Sequence, residues 1–176
     1  RNVVVAISFQ QDLNVTDAIT FDSGGLNFNV GLIRLDKNGE VEWANHYGGT
    51  GVSEIWGLDM DPEGNTYLTG IFTGTADFGG PPLVGVSGHE VMLAKHDAQG
   101  VHVWSKAFTG NSTDRALDLE VSADGVYLTG RFKEELDCEG QVLNASPGNY
   151  DMFVGHFATS DGAPIWVAAV GSEADD

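Results

Sequence analysis

Apolar residues in this chain come in short runs, each closed by a cluster of Gly, Asp and Asn. Val30–Leu35, Val41–Tyr47, Ile55–Met60 and Thr66–Phe72 are four such runs. They end at Asp36-Lys37-Asn38-Gly39, at Gly48-Gly49-Thr50-Gly51, at Asp61-Pro62-Glu63-Gly64-Asn65 and at an excursion through Asp77-Phe78-Gly79-Gly80. Val91–His96, Val101–Phe108, Ala116–Val121 and Val126–Phe132 follow in the same order. Short apolar segments bounded by such turns predict antiparallel strands. No stretch sustains the 3.6-residue apolar period of a helix, so the expected fold class is all-β.

The runs also repeat. Tyr67-Leu68-Thr69-Gly70 returns as Tyr127-Leu128-Thr129-Gly130, 60 residues later. Leu32–Asp36 matches Leu93–Asp97 at a spacing of 61, as do Gly39 with Gly100 and Trp43 with Trp104. A third copy opens at Asp151, passes Gly162 and places Trp166 62 residues after Trp104; Asn2–Phe9 matches Asn65–Phe72. The chain thus reads as one repeat domain over residues 1–176, in units 1–28 (partial), 29–89, 90–150 and 151–176 (partial). Four short strands per repeat, joined in sequence, is the pattern of a β-propeller blade. The chain holds about three such repeats, whereas a closed propeller has about 4–8 blades. It opens on the fourth strand of a unit and stops where a third would begin, so it is expected to be a segment of a longer chain or to pack against other copies.

The motif order is an acid, an apolar strand, Asp-x-x-Gly, Trp, aromatic-Gly-Gly, an acid, Asp-x-x-Gly-Asn, Tyr-Leu-Thr-Gly and Asp-Phe-Gly-Gly. It resembles the bacterial SBBP-type β-propeller repeat, which is common in large secreted or surface proteins. The resemblance spans nearly all of the chain. It departs where Gly48-Gly49 becomes Thr109-Gly110 and where the Gly64-Asn65 turn becomes Asp124-Gly125. It implies a propeller fold and an extracellular or cell-surface location. It implies no particular activity, because fold alone does not carry function.

Charge narrows the partners. The 26 acidic and 8 basic residues give a formal charge of −18. That field repels nucleic acid and anionic membrane surfaces and favours divalent cations and basic proteins. Cys138 is the single cysteine, so no disulfide forms within the chain, and no apolar run reaches the ~18 residues of a membrane-spanning helix.

Carboxylates recur at fixed places. Asn29, Glu90 and Asp151 precede the first strand of their units, while Glu54, Asp114 and Asp175 precede the third. On a ring such residues form a circle of oxygen ligands suited to Ca2+; alternatively they are turn residues that accept backbone N–H groups. Asp59, Asp61 and Glu63, followed by Gly64, resemble the first half of a calcium loop. Gly70 stands where the bidentate Glu of an EF-hand belongs, and the second copy reads Leu119, Val121 and Ala123. A repeat-wide calcium loop is therefore excluded and only a single local site remains open.

Trp43, Trp104 and Trp166 hold one repeat position and are expected in the core. Trp56, aligned with Ala116, does not repeat; it is either a packing residue or, as the candidate ligand-binding side chain, an aromatic that stacks on a sugar ring. His96 shares its position with Leu35 and Phe157, which fits a half-buried structural role. No nucleophile elbow, P-loop, dinucleotide motif or HExxH pattern is present, so no catalytic residue is assigned. The leading expectation is a non-enzymatic extracellular module that binds a protein or glycan or builds a surface assembly. The alternatives are a hydrolase or lyase with a carboxylate pair at the propeller mouth, and a lectin.

Overall fold

The computed structural model describes residues 2–25 and 27–171. Its elements in chain order are β1 (Val3–Phe9), β2 (Leu13–Thr16), β3 (Ile19–Phe21), β4 (Asn29–Leu35), β5 (Val41–Gly49), β6 (Ser53–Met60), β7 (Thr66–Phe72), β8 (Thr75–Asp77) and β9 (Leu83–Val84). They continue as β10 (Glu90–His96), β11 (His102–Gly110), β12 (Arg115–Ser122), β13 (Gly125–Lys133), β14 (Glu135–Cys138), β15 (Gln141–Asn144), β16 (Tyr150–Phe157) and β17 (Pro164–Val170). No helix occurs among the described residues.

These strands form three main antiparallel sheets. The first runs β1-β4-β5-β8-β9, the second β6-β7-β10-β11-β14-β15, the third β12-β13-β16-β17, and β2-β3 stands as a separate hairpin. Turn chemistry explains the strand ends. Asp36 accepts N–H bonds from Asn38 (2.7 Å) and Glu40 (2.9 Å), and Asp97 accepts them from Gln99 and Val101 (2.9 Å each). Gly39 and Gly100 close these turns with φ of 83° and 77°, a region that disfavours any residue with a Cβ.

The sheets are out of phase with the sequence unit. Unit 29–89 contributes β4 and β5 to the first sheet but β6 and β7 to the second, so the sheet changes between its second and third strands. The excursion after the fourth strand is a hairpin, not a loop. Ala76 and Asp77 in β8 pair with Gly49 and Gly48 of the preceding sheet, and Leu136 and Asp137 in β14 pair with Gly110 and Thr109.

Two hydrophobic layers join the three sheets. Val4, Val30, Leu32 and Tyr47 of the first sheet pack on Leu68, Phe72, Met92 and Ala94 of the second. From its opposite face the second sheet sends Tyr67, Val91, Leu93, Trp104 and Phe108 onto Val126, Leu128, Phe132, Phe153 and Phe157 of the third. Each layer also carries an indole contact. Trp43 Nε1 donates to the Ala98 carbonyl (3.1 Å), and 61 residues on Trp104 Nε1 donates to the Thr159 carbonyl (3.2 Å). Each indole lies over a glycine of the next sheet's first turn. A Cβ on Gly100 would sit 2.9 Å from the Trp43 ring, and one on Gly162 would sit 2.7 Å from the Trp104 ring.

The three tryptophans are not equally buried. Trp104 is 7% exposed and Trp43 is half-buried, but Trp166 is 41% exposed, against the expectation of a core position. The third sheet has no fourth sheet among the described residues to cover it. His96, expected half-buried, is fully buried; its Nε2–H donates to the Phe78 carbonyl (2.8 Å) and its ring lies 4.9 Å from that of Tyr47.

Candidate functional site

The recurrent polar residues Asn29, Glu90 and Asp151 are buried at the starts of β4, β10 and β16, and the two acids hold backbone amides. Glu90, fully buried, accepts from Val86 N (2.8 Å), Ser87 N (2.6 Å) and Gly110 N (3.1 Å). Asp151 accepts from Ser146 N (3.0 Å), and the Asn29 amide donates to the Ser23 carbonyl. Each side chain ties its strand to the loop before it, which is the turn role rather than a ring of ligands. Among the described residues no three His, Cys, Asp or Glu side chains converge as metal ligands. Asp175 lies outside the described residues.

The supposed half calcium loop is likewise engaged. Asp61 accepts from Asn65 N (2.8 Å), Asn65 Nδ2 (2.7 Å) and the Tyr67 hydroxyl (3.2 Å). Asp59 accepts from Met60 N and, across the sheet junction, from Val121 N (2.8 Å each), so it couples β6 to β12. Glu63 is exposed in the turn. Asp59 and Asp61 border a cleft of about 430 Å³ that Arg34 also lines.

Strand register corrects one alignment. Glu54 faces Ile71 and Arg115 faces Arg131, so Glu54 and Arg115 share a position. Asp114 matches Ser53 instead: Ser53 N donates to the Phe28 carbonyl and Asp114 N to the His89 carbonyl, both at 2.8 Å. Asp114 is fully buried, with Oδ1 accepting from Lys133 N (3.1 Å) and Oδ2 without a partner. Burial, reinforced by the nearby charges of Glu90 and Glu134 and opposed by the Lys133 amide, pushes its pKa up to about 7.

The same register places Trp56. β6 bulges between Ile55 and Gly57, and β12 bulges between Ala116 and Asp118, so Trp56 corresponds to Leu117 rather than Ala116. A bulge turns its extra side chain out of the ladder. Trp56 is 40% exposed and Leu117 39%. Gly57 lets the two strands approach closely, since a Cβ there would lie 3.0 Å from Leu119 N. Arg115 then reaches back so that its guanidinium carbon lies 5.4 Å from the Trp56 ring, in cation–π range. The indole Nε1 donates to Glu54 (3.3 Å). Three side chains from two sheets thus make one surface patch with an aromatic face, a cation and a carboxylate. Of these, Trp56 and Glu54 were named from sequence. Arg115 was missed, because the matching 61-residue spacing is hidden by a 60-residue one from Glu54 to Asp114.

No family model matches this chain, and no curated protein matches it.

Proposed function

We infer that this chain is a propeller-type, non-enzymatic binding module of an extracellular or surface assembly, taking a protein or glycan at the Trp56 patch. The observation that carries the reading is the Trp56 indole, held out on a bulge beneath the Arg115 guanidinium. An aromatic face accepts the apolar side of a sugar ring or an apolar side chain, and an adjacent guanidinium supplies planar hydrogen-bond donors for carboxylate or hydroxyl groups. The propeller arrangement and the likeness to SBBP-type repeats belong to this proposal. The antiparallel sheets, packed face to face through two apolar layers, support it.

A lectin with one site per repeat calls for an aromatic at each bulge, whereas the neighbouring bulge presents Leu117. A carboxylate-pair hydrolase would use Asp59 and Asp61, which both line a cleft. Their oxygens already accept bonds from Val121 N and Asn65 N, which favours the structural role. Binding is tested by probing arrays of neutral glycans, acidic glycans and basic proteins with the wild type, Trp56→Ala and Arg115→Ala. At least a tenfold loss of one shared signal is expected in both variants. Wild-type binding by Trp56→Ala would remove the patch from the reading.

A further inference from the structure

The two joints between the sheets are built alike but filled differently. At the second joint Phe108 of β11 stacks on Phe157 of β16, with ring centroids 4.9 Å apart. At the first joint the residues 61 positions earlier, Tyr47 of β5 and His96 of β10, meet at the same 4.9 Å. Strand register adds a neighbour: Leu35 faces Val41, His96 faces His102 and Phe157 faces Pro164. Of the two joints, only the first therefore holds imidazoles here. The rings of His96 and His102 lie 5.8 Å apart, edge to face.

The surroundings of His96 accept a neutral ring and not a charged one. The residue is fully buried, and its Nε2 lies 2.8 Å from the Phe78 carbonyl. A carbonyl only accepts, so Nε2 carries the hydrogen and Nδ1 is the bare nitrogen. Nδ1 is itself buried and has no partner. A second proton there makes a buried cation whose new N–H nothing accepts. The groups around the ring do little to favour that cation. β5 brings the neutral Tyr47, β11 brings His102, and β7 places Thr66 opposite, its hydroxyl likewise without a partner. Asp97, next in the chain, has its Oδ1 taken by the amides of Gln99 and Val101 (2.9 Å each). Asp77, whose charge acts on His102, accepts from Gly79 N (2.7 Å).

We propose that the joint between the first and second sheets is released by acid, through a second proton on His96, while the joint between the second and third sheets holds. The release parts β4, β5 and the β8 end from the second sheet, because Tyr47 and the Phe78 carbonyl are the groups that enclose the ring. It is independent of the Trp56 patch.

The direction of the titration agrees. Burial holds the His96 pKa below the ordinary 6.5, against the pull of the Phe78 carbonyl, and His102 lowers it further, against Asp97. Burial lowers that of His102 as well, against Asp77. The opened joint then takes up protons that the closed one refuses. The closure is complete above pH 6.5 and weakens as pH falls below it.

Amide hydrogen exchange, read as protection factors from about pH 7.5 to about pH 5, tests this on the wild type, His96→Gln and His96→Phe. Below pH 6.5 the protection of β4 and β5 should fall by up to about tenfold per pH unit for each histidine that takes a proton, and that of β13 and β16 should not. Glutamine keeps an N–H for the Phe78 carbonyl, and phenylalanine reproduces the second joint. Neither titrates, so each variant, shown to be folded by circular dichroism at pH 7, should lose at least half of that slope. The wild type alone also decides the matter by imidazole NMR, in which His96 should stay singly protonated on Nε2 until β4 and β5 open. Four results each overturn the proposal: protection of β4 and β5 that does not fall, a fall shared equally by β13 and β16, less than half the slope lost in either folded variant, or a doubly protonated His96 above pH 6.5.

Discussion

The facing surfaces of the second and third sheets make an instructive pair with the third sheet's outer surface. Tyr67, Val91, Leu93 and Trp104 on the second sheet are all under 10% exposed. The same positions on the third sheet hold Tyr127, Met152, Val154 and Trp166; Met152 and Trp166 are both over 40% exposed, and Tyr127 and Val154 are partly exposed. The residue types are of one kind, yet one row is core and the other is surface. Burial at these positions is a property of the neighbour as much as of the strand, because a strand face becomes core only when a second layer excludes water from it.

The contrast is sharpest at the tryptophans. Trp104→Ala should destabilise by about 3–5 kcal/mol, the usual loss for a buried large aromatic, and Trp166→Ala by less than about 1 kcal/mol in dilute solution. Urea melts of both variants measure it, and equal losses would show that the two faces are equally covered. Trp56→Ala, on an exposed bulge, belongs with Trp166.

A smaller effect separates the glycines beneath the indoles. Gly162→Ala and Gly39→Ala each force a residue with a Cβ into positive φ, 75° and 83°, at about 1–2 kcal/mol. Only at Gly162 does the new methyl also meet the Trp104 ring, 2.7 Å away, whereas at Gly39 it meets open space. Gly162→Ala should therefore lower the melting temperature further. The same shift at Gly39 would break the contrast.

A pH scan probes the covered side alone. Asp114, at the junction of the second and third sheets, has its pKa raised from the ordinary 3.8 to about 7. The folded state then holds a proton that the unfolded chain has released, so this residue makes stability fall as pH rises from about 4 to 7 and level off above that. The slope is at most about 1.4 kcal/mol per pH unit. Asp114→Asn should flatten that decline, as followed by thermal melts at a series of pH values. An unaltered pH profile would mean that Asp114 is ionised in the folded chain.

Strands and turns were legible because their causes are local. Asp36 and Asp97 bond amides within four residues, and the apolar runs between such turns became β4, β5, β10 and β11 within a residue or two at each end. The hairpins β8-β9 and β14-β15 were not legible, since such short segments gain strand geometry only when β8 pairs with β5 and β14 with β11, strands distant in the chain. The site was half legible. An aromatic without a repeat at its position pointed to Trp56, but the bulge that turns it outward is a two-against-one count of residues across β6 and β7, which no single strand displays.

By itself the sequence determined the all-β class, the turn positions and the roughly 60-residue period. Each follows from residue chemistry acting over a few neighbours: alternation along a strand, side-chain oxygens on nearby amides, glycine at positive φ. Only the tertiary structure decided which strands share a sheet, which tryptophan is covered, and that Arg115 meets Trp56. It also decided that Glu90 and Asp151 serve loop amides. Those outcomes rest on contacts between residues far apart in the chain, where one residue of register moves a side chain to the opposite face.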